Sequence, residues 1–301
     1  MRTVIALGGN AIASGEHPTV ADQRARIRET VEPIHELTER GHDVVLTHGN
    51  GPQVGTLLLQ QEQVEAPERP LNVLVAETQA QIGYLLAGEL DDRIENRVVT
   101  VLTRVRVDPD DSDFENPSKP IGPYYSETEA ATKSFETGPV KRPDGARAYR
   151  RLVPSPRPQE VLESDEIQGL IEQGATVVCG GGGGVPVVDS DGTDGVAAVV
   201  DKDYTTSLLA HEVDADCLVM ATDVEYVYRN FGTADQELIE EIEAEVLGRA
   251  LDRGEFPEGS MQPKVEACLD FLDAGGERAV VTSLEEIDAA VDGDAGTQIR
   301  S

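Results

Sequence analysis

Three glycine clusters and five lysines are the residues of this 301-residue chain whose types and spacing could do chemistry. The clusters are Gly8-Gly9-Asn10, then His48-Gly49-Asn50-Gly51-Pro52-Gln53-Val54-Gly55, then the five glycines at 180–184. Each follows a short apolar, β-branched segment and so falls where a strand should end. Glycine lets backbone N–H groups come close to a ligand, and the N-terminus of a following helix adds positive potential, so such a turn can cradle a phosphate or another oxyanion. One cluster alone reads as well as a tight turn; three at strand ends are hard to assign to turns alone. None matches the G-x-x-x-x-G-K-[ST] loop or the dinucleotide G-x-G-x-x-G, which disfavours both of those chemistries.

The lysines are Lys119, Lys133, Lys141, Lys202 and Lys264, beside 20 Arg. Lys119 lies in Asn116-Pro117-Ser118-Lys119-Pro120, read as a stiff loop. Lys202 stands between Asp201 and Asp203, just before a helical stretch. Lys264 opens a helix after Ser260, a candidate cap, and Pro263. A cation at a helix N-terminus opposes the macrodipole, which is understandable where an anionic ligand sits. The plainer alternatives are a surface ion pair for Lys202 with Asp201 or Asp203, and an exposed loop lysine for Lys119. The five His show no metal-ligand spacing, no G-x-S-x-G elbow exists, and His48 reads as a backbone-bonded turn residue rather than a base. Glycine cradles with lysines, and without an obvious base or covalent nucleophile, describe phosphoryl transfer, where positioning and charge neutralisation do the work.

Composition narrows the partners. With 57 Asp+Glu against 25 Lys+Arg the formal charge is -32, so association with nucleic acid or an anionic membrane would begin with repulsion. No apolar run approaches the ~18 residues of a membrane span, and the apolar start before Gly8 is too short for a secretory signal, so a cytoplasmic location is expected. Cys179, Cys217 and Cys268 fall in or beside apolar segments and read as reduced core residues. A surface rich in carboxylate and poor in lysine suits very high salt, where the Debye length falls to ~3 Å at 1 M and self-repulsion is screened. A halophilic origin is expected.

The elements that must position these residues alternate. Residues 4–7, 43–47, 98–102, 176–179, 218–221 and 279–282 read as buried strands, because they are apolar and nearly continuous. Residues 20–40, 76–94, 205–212 and 264–274 carry helical spacing, and Gly41 and Gly275 stand where helix stops belong. Strands separated by helices predict an α/β fold with a mainly parallel sheet covered on both faces and ligands at the carboxyl ends of its strands. Residues 107–158 break the rhythm. This Pro-rich excursion is acidic first (Asp108, Asp110, Asp111, Asp113, Glu115) and then basic (Lys141, Arg142, Arg147, Arg150, Arg151, Arg157). The two halves either pair with each other or the basic half guides a small anion.

Taken together, the motifs resemble the carbamate kinases of the amino acid kinase superfamily, from residue 4 to at least residue 282. The matching segments include Ala6-Leu7-Gly8-Gly9-Asn10-Ala11, the His48 to Gly55 cluster, Lys119-Pro120-Ile121-Gly122-Pro123-Tyr124-Tyr125, Val153-Pro154-Ser155-Pro156, Cys179-Gly180-Gly181-Gly182-Gly183-Gly184, Val200-Asp201-Lys202-Asp203 and Gly259-Ser260-Met261 with Pro263-Lys264. The resemblance implies one three-layer α/β/α sandwich over residues 1–301 with 107–158 as a protruding subdomain, and a homodimer. It implies reversible phosphoryl transfer, ATP + carbamate ⇌ ADP + carbamoyl phosphate, with Mg²⁺ and with ATP/ADP as substrate, run mainly toward ATP in arginine catabolism. By the same resemblance, Gly8, Gly9, Asn10, Gly49, Asn50 and Gly51 would hold carbamate and the transferred group. Lys119 would reach carbamoyl phosphate from the subdomain, Lys202 and Lys264 would neutralise the phosphoryl oxygens, and Asp203 would orient the lysines. Gly181, Gly182, Ala221, Thr222, Asp223, Val224, Tyr228 and Met261 would bind the nucleotide. A related kinase acting on a carboxylate such as acetylglutamate is disfavoured, since those usually carry a Lys in the first strand, where Ala6-Leu7 stand here. A non-catalytic nucleotide sensor should have lost lysines that are all present.

Overall fold

A computed structural model describes residues 1–12, 19–65, 67–142, 144–189, 194–257 and 259–301; the side chain of Asn10 lies outside that description. The apolar runs form an eight-stranded sheet in the order β14 (Glu241–Glu243), β16 (Thr297–Arg300), β15 (Arg278–Ser283), β11 (Cys217–Thr222), β1 (Arg2–Leu7), β2 (Asp43–His48), β9 (Thr176–Val178) and β3 (Val98–Thr100). All neighbours pair parallel except β15 with β16. Strand side chains alternate between faces, so a strand buried on both sides must be apolar throughout. Val4 and Ala6 join a core with α6 (Ser164–Glu172), α7 (Lys202–Glu212), α8 (Ala244–Asp252) and α9 (Gln262–Asp273). Ile5 and Leu7 join the opposite core with α1 (Gly9–Ile12), α2 (Val20–Glu39), α4 (Leu71–Asp91) and α10 (Ile287–Asp292). This is a three-layer α/β/α sandwich.

The helix stops fall as the sequence predicts, with Gly41 at φ 79° and Gly275 at φ 102° just beyond α2 and α9. The helix α3 (Gly51–Gln63) is a difference. It begins on the second glycine cluster, with Pro52 in its first turn. Cys179, Cys217 and Cys268 are free and buried. No helix is long and apolar enough to cross a membrane among the described residues.

Residues 107–158 hold a separate antiparallel sheet, β5 (Lys119–Tyr125), β7 (Arg147–Val153) and β6 (Thr137–Lys141), with α5 (Glu127–Ala130). The chain leaves through β4 (Arg104–Val107) and returns through β8 (Pro158–Val161), which pair antiparallel, while β10 (Val185–Val187) pairs with β4. Lys119 is therefore the first residue of a strand rather than part of a loop. Among the described residues no ion pair joins the acidic and basic halves of this segment. Four of its cations instead lie on aromatic rings or reach outside it: Arg142 and Arg150 over Tyr124, Arg151 over Phe135, and Arg157 on α9.

Candidate active site

The carboxyl ends of β1, β2 and β11 lie side by side, so their loops form the floor of one cleft. Gly8 donates its N–H to the Ala221 carbonyl at 3.2 Å, and Gly49 donates to the Leu7 carbonyl at 3.1 Å. A Cβ on Gly49 would stand 3.4 Å from the Gly9 nitrogen and 3.7 Å from the Lys202 side chain, in ordinary contact, so the two turns and that lysine meet at Gly49. Asn50, at the start of α3, is fixed by donating its amide to Thr78 Oγ1 at 3.0 Å. His48 is buried with Nδ1 3.1 Å from the Gly49 carbonyl; burial, reinforced by the Lys202 charge, lowers its pKa to about 4 and keeps it neutral near pH 7.

Two aspartates collect three lysines. Asp201 caps α7, its Oδ1 accepting from the Asp203 N–H at 3.0 Å, while its Oδ2 accepts from Lys119 at 2.5 Å. Asp203 is almost fully buried; Oδ1 takes Lys202 and Oδ2 takes Lys264 at 3.1 Å. The Lys202 and Lys264 side chains keep only 12% and 14% exposure, so both ammonium groups are held at the edge of solvent with their direction set by one carboxylate. Burial pushes that carboxyl up, but the charges of Lys202 and Lys264 outweigh it and bring the pKa down to about 2. Lys264 enters from the first turn of α9, whose N-cap is Met261 with no side-chain cap bond, so Ser260 does not cap it. Instead the Ser260 carbonyl lies 3.4 Å from the Lys264 ammonium.

The cleft encloses about 550 Å³, within the range of small-ligand sites. Its lining includes Gly8, Gly9, Gly49, Asn50, Gly51 and the three lysines, together with Thr222, Asp223, Val224, Tyr228 and Met261, joined by Tyr226, Phe231 and Pro257. Tyr228 and Phe231 stack at a tilt with centroids 5.9 Å apart. A polar, cationic lining combined with aromatic rings in one cleft fits a small anion beside a nucleoside polyphosphate. Among the described residues no group of three or more His, Cys, Asp or Glu could hold a metal ion.

Two sequence-based expectations change. The glycines at 180–184 do not open a helix; Gly181–Gly183 make a single 3-10 turn leading to β10. Their bareness serves packing: a Cβ would meet the His48 ring at 2.6 Å from Gly181, the Asn50 amide at 2.0 Å from Gly182 and the Val200 carbonyl at 2.2 Å from Gly183. Gly182 reaches the cleft wall beside Asn50, whereas Gly181 does not line it. Ala221 is also off the cleft: strand alternation turns it into the core with Ile5 and Leu7, and it contributes only the carbonyl that holds Gly8. Asp201 and Arg150 also line the cleft, outside the predicted set of site residues. Arg150 lines the cleft with Nε 2.9 Å from the Gly122 carbonyl. The sequence signal for Arg150 is its place in the basic run of the excursion, and that for Asp201 is its place before a helix start, where a cap belongs.

Gly182→Ala is expected to destabilise the protein by about 1–3 kcal/mol, because a Cβ meets Asn50 at a φ of 62°. Gly88→Ala, in open space on α4, should be neutral or stabilising. Thermal melts of the two variants check this; equal melting temperatures would contradict it.

The chain matches the model of the amino acid kinase family over residues 1–283. It is 50% identical to a carbamate kinase of Halobacterium salinarum over 99% of this chain and 97% of that protein, and 41% identical to a carbamate kinase of Pyrococcus furiosus over 99% and 98%. Its fold superposes on the carbamate kinase from Giardia lamblia bound to AMP-PNP with a TM-score of 0.88, at 37% identity, covering 99% of this chain and 98% of that one. Sequence identity and fold thus agree with these relatives along almost the whole chain, and it belongs to the amino acid kinase family, within its carbamate kinases.

Proposed function

We propose that this protein catalyses ATP + carbamate ⇌ ADP + carbamoyl phosphate and runs mainly toward ATP in arginine or carbamoyl phosphate catabolism, since an acyl phosphate transfers readily to ADP. The observation that carries the reading is the meeting of Lys202 and Lys264 on the two oxygens of Asp203, beside the turns at Gly8-Gly9 and Gly49-Asn50-Gly51. Preorganised cations aimed where charge develops stabilise the transition state without reorganising. Carbamate is already an anion, so no base is required, which agrees with a buried, neutral His48. Lys119, brought by β5 and held by Asp201, supplies a third charge to carbamoyl phosphate. Tyr228, Met261, Thr222, Asp223 and Val224 receive the nucleotide, and Gly182 supports Asn50. Asp201 and Asp203 are committed to lysines, so Mg²⁺ would arrive on the nucleotide's phosphates with most of its waters, where it neutralises charge.

The enzyme would be cytoplasmic and homodimeric. Exposed Val73 and Tyr84 on α4, and Leu102 beyond the edge strand β3 that α4 packs on, are apolar surface of the kind a second copy covers. A monomer by sedimentation equilibrium would remove the dimer.

The test is ATP formation from carbamoyl phosphate and ADP in molar KCl, with acetylglutamate and aspartate offered as acceptors of the ATP phosphoryl group. ATP formation with no phosphorylation of either acceptor is expected. Phosphorylation of acetylglutamate without ATP formation from carbamoyl phosphate would overturn the assignment. At a charge of -32 the melting temperature should rise by several degrees between 0.1 M and molar KCl as the Debye length falls from ~10 to ~3 Å. A flat response would remove the halophilic reading.

A further inference from the structure

The return of the inserted lobe is pinned to the helices that carry the other two lysines. The Arg157 guanidinium lies 3.5 Å from the centroid of the Tyr204 ring, with Nη2 3.0 Å from Glu266 Oε2 and Nη1 3.0 Å from Asp270 Oδ2. The Tyr204 hydroxyl donates to the same Glu266 oxygen, and Gln262 donates to the other at 2.8 Å. Tyr204 follows Lys202 by two residues on α7, and Glu266 follows Lys264 by two on α9, so each contact falls ~3 Å along the axis from a lysine. The backbone beside Arg157 is tied to the outgoing arm of the lobe. Its N–H donates to Asp111 at 3.2 Å, and Asp113 accepts from both the Ser155 N–H and the Ser118 hydroxyl at 3.1 Å. Ser118 adjoins Lys119.

We propose that Arg157 is a positioning residue for phosphoryl transfer: it clamps the stalk of the lobe onto the seam between α7 and α9 and so sets where Lys119 stands relative to Lys202 and Lys264. The planar guanidinium spans two carboxylates one helical turn apart while stacked on an aromatic face, a contact that a lysine ammonium makes less completely. Stacking also persists at salt concentrations that screen a half-exposed ion pair. The far side of the lobe is held separately, by Tyr125 and Lys133 on Glu62 of α3. Loss of the Arg157 contact should therefore shift the stalk and leave the lobe folded.

Turnover is the readout, so the proposal rests on the reaction given above, and wild-type turnover separates the two. An inactive wild type refutes that reaction, whereas an active wild type with an unaffected Arg157→Ala refutes the clamp alone. Arg157→Ala is expected to lower kcat/KM for carbamoyl phosphate ~10-fold, on the scale by which small misplacements slow a reaction, with KM for ADP within ~2-fold and a melting temperature within a few degrees. Arg157→Lys, which keeps the charge but not the stacked, two-carboxylate contact, should recover only part of the loss. In a Lys119→Ala background, Arg157→Ala should add less than ~2-fold, because the residue it positions is gone. Undiminished turnover, or the same ~10-fold loss in that background, overturns the proposal. Should Arg157→Ala fail to fold, Glu266→Gln carries the test, since it keeps the side-chain shape and removes the charge. It should lose ~3-fold or more in the wild-type background and add less than ~2-fold to Lys119→Ala, and equal losses in both backgrounds count against the clamp.

Discussion

Lys264→Ala is expected to lower the rate of ATP formation from carbamoyl phosphate and ADP at least ~100-fold, the scale of losing one preorganised charge contact, or ~2.7 kcal/mol of transition-state stabilisation. The loss should fall on kcat, because among the described residues the Lys264 ammonium bonds to Asp203 and the Ser260 carbonyl and is aimed by the same carboxylate that holds Lys202. The fold should survive: Asp203 keeps Lys202 as its partner, and α9 still starts at Gln262 with Pro263 in its first turn. Lys119→Ala should cost a similar factor with a raised KM for carbamoyl phosphate, since Lys119 is the most exposed of the three and reaches in from the inserted lobe. Steady-state kinetics with circular dichroism of the same samples check both. Near-normal turnover in either variant would remove that lysine from the mechanism.

Asp203→Asn should be worse, because it harms both site and fold. The amide keeps the shape but leaves two mostly buried ammonium groups facing each other without a counter-charge, and breaking a buried pair costs ~3–5 kcal/mol. Turnover should fall at least as far as in Lys264→Ala, since both lysines lose the group that aims them. The pH dependence has a definite sign. The folded pKa lies below the ordinary carboxylate value of ~3.9, so the wild-type stabilisation is complete above about pH 4 and is lost as pH falls toward 2. Thermal melts of wild type and Asp203→Asn from pH 7 down to 2.5 should therefore converge only at the acid end. A constant gap would mean that the carboxylate charge is not what holds the lysines.

The central strands were legible because burial on both faces forces continuous apolar runs, and α2 and α9 because Gly41 and Gly275 ended clear helical patterns. The sheet of β5, β6 and β7 was not. Its short strands are half-exposed and proline-rich, so neither the continuous nor the alternating signature is present. The run at 180–184 is only partly legible because glycine answers two needs, approach to a ligand and approach to neighbouring side chains, and the second accounts for the packing on His48, Asn50 and Val200. At the site, residue types were legible, but the partner of Asp201 was not. Asp201 looked like a companion of adjacent Lys202, yet it takes Lys119, 82 residues away. That pairing depends on the lobe folding back over α7, a long-range contact that no local spacing encodes. Ala221 illustrates the opposite failure: its strand was placed correctly, but which way one residue faces at the strand's end depends on register with β1.

The claim beneath the mechanism is that ammonium groups from three distant segments converge on one transferred group above the glycine turns. A crystal structure of the protein with ADP and a phosphate or sulfate in place of the phosphoryl group measures this directly. The expected result is the anion ~2.7–3.1 Å from the Lys202 and Lys264 ammonium groups, in reach of Lys119 and of the backbone N–H groups at Gly9 and Gly51. An anion bound elsewhere, or Lys202 and Lys264 turned away from it on opposite walls of the cleft, would contradict the account.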